Sequence, residues 1–194
     1  MAKPWLKTGD IGDFPEAGTF SQPAAKVGLL TFLCVATSIF GLFVVSYNFR
    51  MELNDWLSVP KPGLLWFNTA LLIFSSVAFQ WARVAGRQND LERVRLGLIA
   101  GGISSLAFLA GQLLAWRQFS AAGYYLAANP ANDFFYLITA LHGVHVLGGL
   151  WVWGKTVARM FAGEDVQLSV ELCTVYWHYL LVVWIVLFGL LLST

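Results

Sequence analysis

Long stretches without a charged side chain alternate along this chain with short polar segments. Five stretches contain no Asp, Glu, Lys or Arg, and they run over 27–47, 63–82, 96–116, 134–154 and 172–192. Each has about the ~20 residues that a helix needs to cross ~30 Å of hydrocarbon. A barrel strand needs only ~9–11 residues of alternating polarity, so the pattern favours helices. We therefore predict an all-α fold, an integral membrane bundle of five transmembrane helices.

The first 26 residues are polar and precede the first apolar stretch. They include Pro4, Pro15 and Pro23, and they lack the basic start and short apolar run of a signal peptide. We expect a cytoplasmic N-terminal tail over 1–26 and a five-helix domain over 27–194. Most of the 12 Lys and Arg residues fall in segments on the side of the N-terminus. Because basic loops stay in the cytoplasm, the N-terminus is expected inside and the C-terminus outside.

Composition supports a membrane protein and excludes other classes. The 194 residues are 58% hydrophobic and only 12% charged, against ~25% charged residues in soluble domains. A net charge of +1 offers no basic surface for a phosphate backbone, so nucleic acid is not an expected partner. Cys34 and Cys173 lie inside apolar stretches without metal-ligand spacing, which indicates small core residues rather than a disulfide or zinc site.

Aromatic and small residues are placed as in membrane bundles. Aromatic side chains gather near the ends of the stretches, where rings suit the headgroup level, and they comprise Tyr47, Trp66, Trp81, Trp116, Phe134, Phe135, Trp153 and Trp177. The third stretch is rich in small residues, among them Gly97, Gly101, Gly102 and Gly111. Small residues let helix backbones approach closely in lipid, so this stretch is expected to be a packing helix.

Polar side chains inside the apolar stretches are few, and a polar group in hydrocarbon requires a partner or a function. They are Asn68 and Gln80 in the second stretch, Gln112 in the third, His142 and His145 in the fourth and His178 in the fifth, with Glu171 at the entrance of the fifth. The sequence has no GxSxG or HExxH motif, phosphate-binding glycine loop or acid at a membrane midplane. It therefore predicts neither an autonomous enzyme nor an autonomous transporter.

Two histidine patterns remain open to interpretation. His142 and His145 are three residues apart and share a helix face. Two neutral imidazoles so placed suit a metal or an axially ligated haem, with His178 as a further ligand from a facing helix. The alternative is that these histidines donate hydrogen bonds to carbonyls or waters within the bundle.

Glu171 and His178 are seven residues apart and form a second stripe, with Val175 between them and Val182 beyond. A carboxylate near the cytoplasmic side and an imidazole about 10 Å deeper suit part of a proton path or a lipid headgroup contact. They equally suit hydrogen bonds to another helix.

The motifs of the later stretches are specific enough to indicate a family. The fourth stretch reads FFYLITALHGVHVLGGL and the fifth begins ELCTVYWHYLLVVW, while the second contains LLWFNTALLIFSSVAFQWA and the third GQLLAW. Over about residues 20–194 the chain closely resembles subunit III of the haem-copper terminal oxidases, in its short five-helix bacterial form. The histidines of that family fall on His142, His145 and His178, its glutamate on Glu171, and its Asn-Thr and Gln-Trp pairs on Asn68, Thr69, Gln80 and Trp81.

The resemblance implies a non-catalytic subunit in a bacterial cytoplasmic (inner) membrane, with its C-terminus in the periplasm. Haem and copper would belong to partner subunits, with subunits I and II as partners and phospholipid bound to this chain. In such a complex it would support assembly and sustained proton-coupled reduction of dioxygen to water, with electrons from cytochrome c or quinol. The polar residues Asn68, Gln80, Gln112, His142, His145, Glu171 and His178, together with Trp66 and Trp81, would bind lipid or hold the bundle together, and no catalytic or metal residue is expected.

Two acids of the family are absent here. Ala36 stands where most members carry Glu, and Leu181 where they carry Asp. Their loss removes the strongest candidates for a proton role in this subunit. It also fits an accessory protein of a nitric oxide reductase, which is the first alternative. A freestanding membrane haem or metal protein that uses His142, His145 and His178 is the second.

Overall fold

The computed structural model describes residues 24–53, 56, 63–126 and 128–193. The described residues form five α-helices: α1 Ala24–Met51, α2 Leu64–Arg87, α3 Leu91–Ala121, α4 Pro130–Phe161 and α5 Gln167–Leu192. All five are long and apolar enough to cross a membrane. The all-helical fold with five membrane-spanning helices is confirmed.

The helices are longer than the charge-free stretches from which they were predicted. α2 continues past Ala82 to Arg87, and α4 continues past Gly154 to Phe161. Charged residues can extend a helix beyond the hydrocarbon because its backbone hydrogen bonds do not depend on the surroundings. The last three residues of the expected tail, 24–26, belong to α1, and the rest of the tail lies outside the described residues.

Side-chain caps mark where α3 and α4 begin. The Asp90 carboxylate accepts a hydrogen bond from the Arg93 backbone N–H and caps α3. The Asn129 side chain accepts one from the Ala131 N–H and caps α4, whose first residue is Pro130. The turn between α4 and α5 contains Gly163 at φ +77°, a left-handed conformation that glycine adopts without strain.

Consecutive helices run up and down, so α1, α3 and α5 begin at the end of the bundle where α2 and α4 finish. We call this end the basic end, because it carries Lys26, Arg83, Arg87, Arg93, Arg95, Lys155 and Arg159. α2 and α3 form the most extensive helix pair, and α5 packs against α2, α4 and α1. α1 is the most peripheral helix, with only Ala36, Phe40 and Tyr47 buried.

Glycines of α3 allow the close approach of α2. A Cβ atom on Gly97 would lie 2.8 Å from the Ala82 Cβ and 2.9 Å from the Ala78 carbonyl oxygen. A Cβ on Gly101 would lie 2.7 Å from the ring of Phe79, and one on Gly102 would overlap the Trp153 ring. The small residues of the third stretch are therefore packing positions, as their spacing predicts.

Three of the expected interface aromatics, Tyr47, Phe135 and Trp177, are buried inside the bundle instead, and Trp153 is half-buried. Trp177 is fully buried and its Nε1–H donates to the Ser105 hydroxyl at 2.7 Å. Trp153 donates to the Leu98 carbonyl at 2.8 Å and rests on Gly102. Position near the end of a charge-free stretch is a weak guide, because α5 and α4 extend beyond those stretches and place both rings deeper in the bundle.

Candidate functional site

The strongest electrostatic feature is a carboxylate held between two cations at the basic end. Glu171 of α5 lies 3.2 Å from Lys26 Nζ of α1 and 3.1 Å from Arg83 Nη2 of α2. The three side chains are only about a quarter to a third exposed, at 31%, 35% and 24% respectively. This group, which we call the charged triad, ties three helices together in a partly water-excluded position.

Replacing Glu171 with Gln is expected to destabilise the purified chain by about 1–2 kcal/mol. The substitution leaves Lys26 and Arg83 close together without their shared anion, and it loosens the attachment of α1. We would measure the thermal midpoint in mild detergent at low and high salt. The loss should shrink at high salt because the triad is partly exposed.

The matched control is Glu164→Gln. Glu164 pairs with Arg159 at 2.7 Å, but both side chains are more than half exposed and they join only neighbouring segments. An exposed pair contributes little, so this variant should stay within about 0.5 kcal/mol of the parent. Equal effects of the two substitutions would contradict a linking role for the charged triad.

Further along α5, His178 bridges to α2 through both ring nitrogens. Its Nδ1 pairs with the Ser76 hydroxyl and its Nε2 lies 3.2 Å from Gln80 Oε1. Since the amide oxygen of Gln80 only accepts, Nε2 carries the proton and Nδ1 accepts from Ser76. In the structure both ring nitrogens of His178 therefore form hydrogen bonds to another helix. Gln80 itself is exposed on the surface of the bundle.

A second polar group lies buried towards the opposite end. Asn68 of α2 donates from Nδ2 to Gln112 Oε1 of α3 at 3.3 Å, and both residues are almost completely buried. Asn68 fits there because Gly111 has no side chain in its place. The neighbouring Thr69 accepts a hydrogen bond from Trp184 Nε1 of α5 at 2.9 Å. These polar residues connect helices.

His142 and His145 of α4 share a face, as predicted, but differ in their surroundings. His142 is fully buried among the rings of Phe40, Phe108 and Trp184, and neither of its nitrogens has a partner among the described residues. The Nδ1 of His145 lies 2.8 Å from the carbonyl oxygen of Leu141, one turn earlier.

Within the part of the chain that the structure describes, the histidines are not grouped with other candidate metal ligands. Among the described residues, no three His, Cys, Asp or Glu side chains are grouped so as to hold a metal ion. Both nitrogens of His178 are engaged by α2, and His142 is enclosed by aromatic rings.

The remaining positions named from the sequence differ in their exposure. Trp66 and Trp81 of α2 are 60% and 44% exposed, so both rings face outward, and Trp66 also touches Phe188 edge-on. Ala36 is buried, and Leu181 packs partly against the core. The positions where the family carries acids are therefore occupied by apolar packing residues.

Sequence reasoning missed Lys26, Arg83 and Ser76 as site residues. The two cations lie outside the charge-free stretches, although Lys26 belongs to α1 and Arg83 to α2. The sequence did contain a signal for Ser76 and Arg83, because these two residues and Gln80 recur at helical spacing on one face of α2. Their shared partner helix was not visible in the sequence.

The fold places the chain in the class of multi-pass α-helical membrane proteins. Polar side chains between its helices connect them to one another. Residues 51–192 match the family model described as cytochrome c oxidase subunit III. The chain belongs to the cytochrome c oxidase subunit III family.

Relatives agree with this assignment. The chain is 29% identical over 179 residues to the cytochrome c oxidase subunit 3 of Thermostichus vulcanus, covering 85% of each chain. It is 29% identical over 174 residues to that of Synechocystis sp., covering 83% of this chain and 72% of the relative. It is 28% identical over 179 residues to the probable cytochrome c oxidase subunit 3 of Mycobacterium bovis, covering 84% of each chain. Family membership supports a place in an oxidase complex of a respiratory chain.

Proposed function

We propose that the chain is a non-catalytic accessory subunit III of a haem-copper terminal oxidase, packed against subunit I in a complex that also contains subunit II. The family match over 51–192 is the observation that carries the proposal. The geometry supports it, because the pairs Asn68–Gln112 and Thr69–Trp184 and the charged triad each connect helices of the bundle. In this assignment haem and copper belong to the partner subunits.

The proposal includes an orientation in the membrane, for which the basic end is the support. We place that end, with its seven described Lys and Arg residues, at the cytoplasmic face of a bacterial inner membrane. The C-terminus of α5 then lies on the periplasmic side. Support comes from the uneven distribution of basic residues between the two ends of the bundle.

Phospholipid binding is part of the proposal. A groove of about 430 Å³ opens between α1, α4 and α5, and its walls are almost entirely apolar, with Phe32, Gly149, Val152 and Tyr176 among them. Such a groove suits an acyl chain. Outward-facing Trp66 and Trp81 suit contacts at the lipid surface.

The proposal is tested by extracting the tagged chain from its native membranes in mild detergent. We expect haem-copper subunits to copurify, with a reduced-minus-oxidised haem spectrum and oxygen consumption in the same fraction. Copurification with a nitric oxide reductase instead would assign the chain to that enzyme. A Soret band in the isolated chain would favour the freestanding haem protein, and a colourless chain without partners would contradict all three assignments.

A further inference from the structure

His145 lies at the centre of the membrane-spanning part of α4. The charge-free stretch 134–154 has its midpoint at Val144, the residue before it. About 15 Å of hydrocarbon separates this level from either headgroup region, since the hydrocarbon is ~30 Å thick. Neither headgroups nor interfacial water lie at that depth, so the polar atoms of His145 depend on protein groups for their hydrogen bonds.

One ring nitrogen of His145 has no partner within the described chain. Its Nδ1 lies 2.8 Å from the carbonyl oxygen of Leu141. Since a carbonyl oxygen only accepts, Nδ1 carries the proton of the neutral ring and Nε2 is an acceptor. Nε2 forms no hydrogen bond among the described residues and, unlike both nitrogens of His142, it is not enclosed by the bundle. An unpaired acceptor therefore opens onto the surface at the membrane midplane.

The facing part of α1 offers no donor to this acceptor. The ring centroid of His145 lies 6.0 Å from that of Phe32 and 5.0 Å from that of Phe40. Ala36 comes midway between these two residues on the same face of α1, and its methyl group cannot donate a hydrogen bond. A donor for Nε2 has to come from outside the described chain.

A glycine leaves space on the surface beside His145. Gly148 follows His145 by three residues on the same face of α4 and is exposed. A Cβ atom on Gly148 would meet nothing within 4 Å. Small residues allow the backbones of membrane helices to approach each other closely. We call this region, formed by Phe32, His145, Gly148 and Val152, the midplane surface.

We propose that a transmembrane helix of a partner subunit packs against the midplane surface and donates a hydroxyl or amide hydrogen to Nε2 of His145. A phospholipid does not supply this contact, because acyl chains carry no donor and headgroups lie at another depth. The groove assigned above to an acyl chain lies on the basic-end side of His145, so a lipid held in it would border the same interface. The inference rests on the proposed function, because it requires a multi-subunit complex.

Substitution of His145 tests the acceptor. His145→Phe keeps an aromatic ring beside Phe32 and Phe40 but removes Nε2. It should lower retention of the partner subunits after a detergent wash about threefold, the effect of one interhelical hydrogen bond in a membrane. His145→Gln places an amide oxygen near the position of Nε2 and should recover much of the retention. Full retention in a His145→Phe complex of unchanged thermal midpoint would contradict the proposed hydrogen bond.

Gly148→Leu tests the close approach without removing a side chain from the bundle. Because space is open at Gly148, the isolated chain should keep its thermal midpoint. In the complex the leucine would hold a partner helix away, so retention should fall several-fold. Gly154→Leu is the control, since Gly154 also has open space but lies on the opposite face of α4 from His145. Equal retention in these two variants would contradict the proposed contact.

Photo-crosslinking in the intact complex identifies what covers the midplane surface. A benzophenone amino acid replaces Phe32, or Phe74 of α2 as the control, since these rings are 48% and 56% exposed. After irradiation in native membranes and purification, the Phe32 variant should give a covalent adduct with a partner subunit. The Phe74 variant should give several-fold less of it.

The crosslinking outcomes distinguish this inference from the proposed function. An intact complex in which the Phe32 position labels only lipid, or only a second copy of this chain, would overturn the assignment of the midplane surface alone. Equal adducts from the Phe32 and Phe74 positions would overturn it as well. A preparation in which no other subunit copurifies would overturn both proposals.

Discussion

Trp177→Ala is expected to destabilise the chain by about 3 kcal/mol, at the lower end of the range for large aromatic deletions in protein cores. Trp177 is fully buried on α5, its ring lies 4.3 Å from that of Phe79 on α2, and its indole N–H donates to Ser105 on α3. The substitution removes one side chain that contacts two other helices. We expect a loss of stability at the lower end of that range because the unfolded chain in detergent also keeps its apolar side chains away from water.

Reversible unfolding in mixed micelles, followed by circular dichroism, would measure this loss. Trp177→Phe keeps most of the ring contact and removes the hydrogen bond to Ser105, so about 1 kcal/mol plus a small packing loss is expected. Trp151→Ala is the exposed control, since Trp151 is 69% exposed on α4. A loss at Trp151 as large as that at Trp177 would contradict the central role of the Trp177 contacts.

The existence of the helices could be predicted from the sequence because the thickness of the hydrocarbon fixes a length for uncharged segments. Their ends could not be predicted in the same way. Arg83 and Arg87 belong to α2, and Lys155 and Arg159 belong to α4, although all four lie outside the charge-free stretches. Long basic side chains reach the interface from within a helix, so the end of an uncharged run is not the end of the helix.

The candidate site was predicted in its parts but not in its pairings. Asn68, Gln80, Gln112 and His178 were selected because polar groups are rare in hydrocarbon. These pairings depend on how neighbouring helices are rotated and shifted relative to each other. They bring Asn68 to Gln112 and Gln80 to His178. Such register between helices is set by packing over the whole interface, including the glycines of α3, and has no local signal.

Gly97→Ala is expected to destabilise the chain by about 1–2 kcal/mol. The new Cβ would meet the Ala82 Cβ at 2.8 Å, the Ala78 carbonyl oxygen at 2.9 Å and the Ala82 nitrogen at 3.0 Å. Two of these atoms belong to the backbone of α2, so α2 or α3 must move rather than a flexible side chain. Overpacking of this kind costs about 1–3 kcal/mol, and the better helix propensity of alanine offsets up to about 1 kcal/mol of it.

The direction in which a Gly→Ala substitution moves the thermal midpoint distinguishes an effect of packing from an effect of helix propensity. Gly154 of α4 has open space at its Cβ position, so Gly154→Ala should leave the thermal midpoint unchanged or raise it. Ala82→Gly in the Gly97→Ala background removes one of the three contacts and should recover part of the loss, because the Ala78 carbonyl and the Ala82 backbone nitrogen remain. If Gly97→Ala raises the midpoint as Gly154→Ala does, α2 and α3 do not approach each other as closely as this packing requires.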